Sequence, residues 1–115
     1  MSKSKEKRQA ERIAIRGITA WLPSNHSLLG AVANMTPYGA LIVGTNFLRK
    51  KEFYRIRLDF EGAVERQSSF EIDAQVMWQE EIEGQQHTGL SLKPHPEDIR
   101  FLERLIKRFG TSPWD

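Results

Sequence analysis

Two stretches of strict alternation constrain this chain more than any other feature. Over residues 53–60, Tyr54, Ile56, Leu58 and Phe60 alternate with Arg55, Arg57 and Asp59. Over 70–78, Phe70, Ile72, Ala74, Val76 and Trp78 alternate with Glu71, Asp73, Gln75 and Met77. Successive side chains of an extended strand point to opposite faces, so a sustained period of two demands strands with one dry and one wet face. The segment 61–69, with Gly62 at the bend, links the two as a long hairpin.

Four shorter runs join them. Residues 13–22 read as a strand ending near Trp21, and Pro23-Ser24-Asn25 is a turn signal. Residues 28–35 read as a second strand, 40–43 as a short, fully apolar third, and 85–92 as a sixth after Glu83-Gly84. Residues 45–51 form a loop with three consecutive bases, Arg49, Lys50 and Lys51.

After Pro94 the period changes. Pro96 suits the first position of a helix, and Glu97 and Asp98 suit its positive end. Ile99, Leu102, Leu105, Ile106 and Phe109 follow at helical spacing, with Lys107 and Arg108 near the end and Gly110 as the stop. Six consecutive strands and one helix predict a mainly β fold. A six-stranded antiparallel β-barrel with a C-terminal α-helix satisfies the pattern and removes exposed sheet edges.

At 115 residues the chain is one domain, long enough to bury roughly two-thirds of its unfolded surface. Residues 1–11 read as a flexible basic arm, 12–110 as the barrel with its helix, and 111–115 as a tail. No apolar run reaches a membrane span. The chain has no cysteine, which excludes disulfides and thiolate metal sites and suits a reducing cytoplasm. His26, His87 and His95 are far apart and lack metal-ligand spacing.

The net charge of +2 is unevenly placed. Residues 1–16 hold six bases, among them Lys7, Arg8, Arg12 and Arg16, against two acids, a net of +4. The other residues hold 11 bases and 13 acids, a net of −2. A basic arm on a mildly acidic body suits an anionic ligand over which the arm can close. The net-acidic body disfavours broad phosphate tracking, so a nucleic-acid-binding barrel is a weak reading even with Arg55 and Arg57 on a wet face. No nucleophile–base pair or phosphate-cradling glycine loop is present, so no enzyme is expected.

Two motifs stand out. Arg8 and Arg12 have the form Arg-x-x-x-Arg, preceded by Lys7; Arg12 and Arg16 fit the same pattern in a second register. Asn34-Met35-Thr36-Pro37-Tyr38-Gly39 has the form Asn-x-Thr-x-x-Gly. Guanidinium forks pair with phosphates and with the O6/N7 edge of guanine. A short polar turn offers donors and acceptors, and a glycine lets backbone and ligand approach.

In this order the motifs resemble those of the PilZ domain, a receptor for the bacterial second messenger cyclic di-GMP. The likeness runs from about residue 7 to 109 and includes Val76-Met77-Trp78 and Gly89-Leu90, similar to the family's fifth and sixth strands. Thr36 stands where the family usually has serine; it keeps the hydroxyl but adds a methyl and restricts χ1.

The resemblance implies the six-stranded barrel with its helix, no enzymatic activity, and cyclic di-GMP as ligand, with no cofactor or metal. It implies ligand contacts from Arg8, Arg12, Asn34, Thr36 and Gly39, with Lys7, Arg16, Trp78 and Gly89 as secondary candidates. It also implies a cytoplasmic adaptor, monomer or weak dimer, whose rearranged arm is read by a protein partner in motility, biofilm formation, adhesion or secretion. Each assignment has a plainer rival. The arginines can be solvated tail charges, and Asn34 and Thr36 can simply build a turn. Trp78 lies on the alternating face of Phe70 and Val76, where core packing competes with stacking. A PilZ-like module without ligand, working by protein contacts alone, is the main alternative function.

Overall fold

The computed structural model describes residues 13–44 and 48–111. The elements are β1 (Ile13–Ile15), β2 (Ile18–Leu22), β3 (Ser27–Thr36), β4 (Gly39–Gly44), β5 (Phe53–Val64), β6 (Gln67–Ile82) and β7 (Gln85–Lys93). A 3-10 turn at Pro96–Asp98, the helix α1 (Ile99–Phe109) and β8 (Gly110–Thr111) follow. All strand pairs are antiparallel, in the order β2-β5-β6-β7-β4-β3, and β2 also pairs with β3. Six strands therefore close into a barrel. β1 pairs with the end of β3 outside that ring, and β8 pairs with β1.

Alternation builds the core. Ile56, Leu58, Ile72, Ala74 and Val76 from the two long strands are buried, as are Ile18, Ala20, Val32, Met35, Ala40, Ile42, Leu90 and Leu92 from the others. The helix lies against β1, β3 and β5 and adds Phe101, Leu102 and Leu105. Phe101 packs at 5.1 Å from Phe70 and 6.1 Å from Phe60, and Phe60 also meets Phe109 at 6.0 Å. Each such side chain contributes roughly 1.5–3 kcal/mol when buried.

The six expected strands and the helix are present, with three corrections. The run 13–22 is not one strand. Gly17 adopts φ +96°, a conformation few side chains accept, and breaks it into β1 and β2. The 61–69 connection is not a loop bent at Gly62. β5 continues to Val64, β6 starts at Gln67, and Glu65 and Arg66 make a two-residue turn, both with positive φ. Val64 is buried, Glu65 accepts from Arg104 of the helix, and Gly62 lies under the Arg108 guanidinium. The hairpin is held from outside by α1, which overrides the poor turn propensity of Glu-Arg. Finally, Pro96 opens a 3-10 turn closed by Asp98 N donating to His95 O (2.9 Å), and the α-helix proper begins at Ile99.

Candidate functional site on the outer barrel face

The Asn-x-Thr-x-x-Gly motif forms the β3–β4 corner. Asn34, Met35 and Thr36 end β3, Pro37 and Tyr38 turn, and Gly39 opens β4 opposite Thr36. The Tyr38 amide donates to Thr36 Oγ1 at 3.1 Å, a hydroxyl-closed turn. Thr36 is only 7% exposed, so its hydroxyl is a fixed part of the corner as well as a candidate contact. Tyr38 is 59% exposed, and its carbonyl accepts from the Leu92 amide at 2.9 Å, tying the turn to β7.

Strand register then lines up a row. Asn34 pairs with Leu41, Leu41 with Gly89, and Gly89 with Trp78, across β3, β4, β7 and β6. The residues one step along, Met35, Ala40, Leu90 and Val76, all point into the core. The row therefore faces outward and spans about 14 Å, three inter-strand spacings. Both ends depend on a β-bulge. In β3 the register shifts between Val32 and Asn34, and in β6 between Val76 and Trp78. Each bulge inserts one residue, Ala33 or Met77, and so re-aims the next side chain outward. Without them Asn34 and Trp78 would point into the barrel.

This corrects the core reading of Trp78, which is 38% exposed while Val76 is fully buried. Its indole lies directly on Gly89: a Cβ there would fall 2.1 Å from Trp78 Nε1. Gly89 thus acts by clearance, and it holds an aromatic plate flat on the sheet. Two residues along β4 toward the corner, Gly39 pairs with Ser91, Ser91 with Gln75 and Gln75 with Phe53 in a second row.

β1 meets the row at its Asn34 end. Ile13 pairs with Met35 and Ala14 with Asn34. Arg8, Arg12 and Lys7 lie outside the described residues. Arg16 stands at the far end of β1, with its amide donating to Phe109 O at 3.0 Å. Because β1 runs antiparallel to β3, moving from Ile13 to Arg16 leads away from the Thr36–Gly39 corner. The structure thus brings together Asn34, Thr36, Gly39, Gly89 and Trp78 on one face and sets Arg16 apart. Leu41, between Asn34 and Gly89, was not singled out from sequence, although Ala40 in, Leu41 out and Ile42 in is a readable alternation.

The cations on the other wet face are matched by acids. Arg55 bridges Glu71 (3.4 Å) and Asp73 (3.1 Å). Asp73, through its hydrogen bond, raises the Arg55 pKa above its ordinary value; desolvation opposes this and Glu71 adds to it. Arg57 bonds Asp59 at 2.7 Å and lies 5.5 Å from the Trp21 ring centre. Neither guanidinium stands as a bare phosphate-binding charge.

Comparison with known proteins bears on the family and the fold. The family model described as PilZ domain matches residues 6–108. The chain belongs to the PilZ family. That family consists of binding and adaptor domains that take cyclic di-GMP. The PilZ barrel here is similar to a solved structure, the Bacillus subtilis inhibitor of motility (MotI/DgrA), with TM-score 0.63 and 14% identity. The match covers 87% of this chain and 50% of that one, so this PilZ domain corresponds to half of its neighbour's length. No curated protein matches the chain. No helix among the described residues is long and apolar enough to cross a membrane.

Proposed function

We propose that this PilZ domain binds cyclic di-GMP on the outer face of β3, β4, β7 and β6 and converts binding into a changed arm that a partner protein reads. The observation that carries the reading is the bulge-built row. A hydrogen-bonding side chain, Asn34, and an aromatic plate, Trp78, are held outward at its two ends, with the Thr36–Gly39 corner beside it. Asn34 both donates and accepts and can read a guanine edge. Trp78 offers a stacking face, worth roughly 1–3 kcal/mol per base. Gly39 keeps the corner open to approach.

Arg12 directly precedes Ile13 in the sequence, and Ile13 pairs with Met35 inside the motif. That connection supports Arg8 and Arg12, rather than Arg12 and Arg16, as the pair that closes on phosphate and the guanine Hoogsteen edge. Lys7 adds charge beside them. The neighbour's name, an inhibitor of motility, supports motility as an output for a cytoplasmic adaptor of this kind.

Isothermal titration with cyclic di-GMP tests the reading. Micromolar or tighter binding is expected, lost in Arg8→Ala/Arg12→Ala and kept in Arg16→Ala. One observation favours a second reading, a PilZ module that works by protein contacts alone: the Thr36 hydroxyl is buried and already engaged by Tyr38. Absence of heat and of competition at high ligand would select it.

A further inference from the structure

Three exposed apolar side chains gather where β5 parts from β6. Phe53 opens β5 and is 62% exposed, more than any other large apolar side chain among the described residues. Its cross-strand partner on β6 is Gln75. Met77, two residues further on, stands on the diagonal from Phe53, a separation of roughly 7–8 Å that long side chains bridge. Met77 is the residue inserted at the β6 bulge, and both it and Trp78 are exposed. Phe53, Met77 and Trp78 thus form one apolar patch. Single exposed apolar residues need no explanation, but a cluster with a polar rim marks a contact surface. Aromatic residues, methionine and arginine are the types enriched in such surfaces.

The rim is cationic around Phe53. The turn Arg49–Glu52 leads into Phe53 and is fixed beside the patch. Lys51 N donates to Val76 O (2.7 Å), Val76 N to Glu52 O (3.1 Å) and Arg49 N to the Tyr54 hydroxyl (2.9 Å). Arg49, Lys50 and Lys51 are exposed there, against one acid, Glu52. On the other side of Phe53 lies an open cavity of about 480 Å³ lined by Phe53, Tyr54, Arg55, Asp73 and Lys93. Arg55 is matched by Asp73 and Glu71, whereas Lys93 is exposed. None of Arg49, Lys50, Lys51 and Lys93 belongs to an ion pair among the described residues. Beyond Trp78 the sign reverses, with Glu80, Glu81 and Glu83 exposed toward the hairpin tip.

We propose that this patch docks an acidic segment of another protein. An aromatic side chain of that segment packs against Phe53 and Met77, and its carboxylates lie over the 49–51 turn and Lys93. Charge complementarity selects the sign of the partner. The exposed rings and thioether supply the apolar contact. The acidic tip selects the partner's shape. A flat anionic membrane or a nucleic-acid backbone laid across the patch would meet Glu80, Glu81 and Glu83 as well as the bases, and be repelled there. A short segment confined to the Phe53 side avoids them. A partner seated here borders the Trp78 end of the outer row, but the inference rests on the patch alone and stands whether or not nucleotide binds.

Fluorescence anisotropy of a labelled random copolymer of glutamate and tyrosine, titrated with the full chain, tests it. Polyglutamate of equal length supplies the charge without the rings. The copolymer is expected to bind about tenfold more tightly than polyglutamate, and Phe53→Ser/Met77→Ser erases that difference. Lys50→Glu/Lys51→Glu weakens copolymer binding about tenfold or more. Arg100→Glu/Lys107→Glu, an equal change of charge at exposed helix positions, leaves it largely intact, as does Arg8→Ala/Arg12→Ala. Unchanged circular dichroism shows that the variants fold. Absence of copolymer binding, equal affinity for the two polymers, binding that survives both patch variants, or loss that follows the helix or Arg8/Arg12 variants instead overturns the proposal. Binding of phosphatidylglycerol vesicles or duplex DNA that is lost in the same patch variants overturns it as well, and assigns the patch to lipid or nucleic acid.

Discussion

At the scale of single residues the outer row makes sharp demands. Gly89→Ala places a methyl where the indole of Trp78 lies, 2.1 Å from Nε1, so the ring must lift. We expect altered Trp fluorescence and cyclic di-GMP affinity reduced about tenfold, the equivalent of roughly 1.4 kcal/mol, checked by titration. Trp78→Ala should cost a similar amount of affinity through lost stacking, roughly 1–3 kcal/mol, with little change in Tm because the ring is partly exposed. Thr36→Val removes the acceptor of the Tyr38 amide; Thr36→Ser keeps it. Denaturant melts should show a loss of about 1–3 kcal/mol for valine alone. The motif residues were legible from spacing. The orientation of Trp78 and Asn34 was not, because an inserted residue reverses every later side chain and leaves little mark in the alternation itself. Met77, an apolar residue at a position the pattern reserves for polar ones, is the one visible trace of the bulge.

Among the elements, alternation located the strands and helical spacing located α1, since both patterns follow directly from which face is buried. Boundaries failed where tertiary contact overrode local preference. Glu65-Arg66 is a poor two-residue turn by composition, and only the Arg104 contact and the buried Val64 explain it. The two-strand split at Gly17 is the opposite case, a local conformation visible in the residue type. Gly17→Ala should destabilise the fold by about 1–3 kcal/mol, since its Cβ would meet the Phe109 ring at 3.0 Å in a left-handed backbone; thermal melts check this. Leu105 is fully buried where α1 meets the barrel. Leu105→Ala should cost about 2–5 kcal/mol, read in equilibrium unfolding.

For the whole molecule, the barrel is strongly sheared, and β6 shows it most clearly. Its first half belongs to the β5 side and its second half to the β7 side, so one strand runs diagonally around the closure. With a basic N-terminal segment on a net-acidic body, the proposed nucleotide binding should weaken with ionic strength; titration at two salt concentrations checks it. β1 has a different importance. It has three residues, yet it holds β3 on one edge and β8 on the other, and the next residue, Arg16, bonds the last carbonyl of α1. The N-terminal and C-terminal segments of the domain are therefore stitched along one short seam. Tension entering at Ile13 would load that seam before the barrel, and the first element to feel it would be the end of the helix.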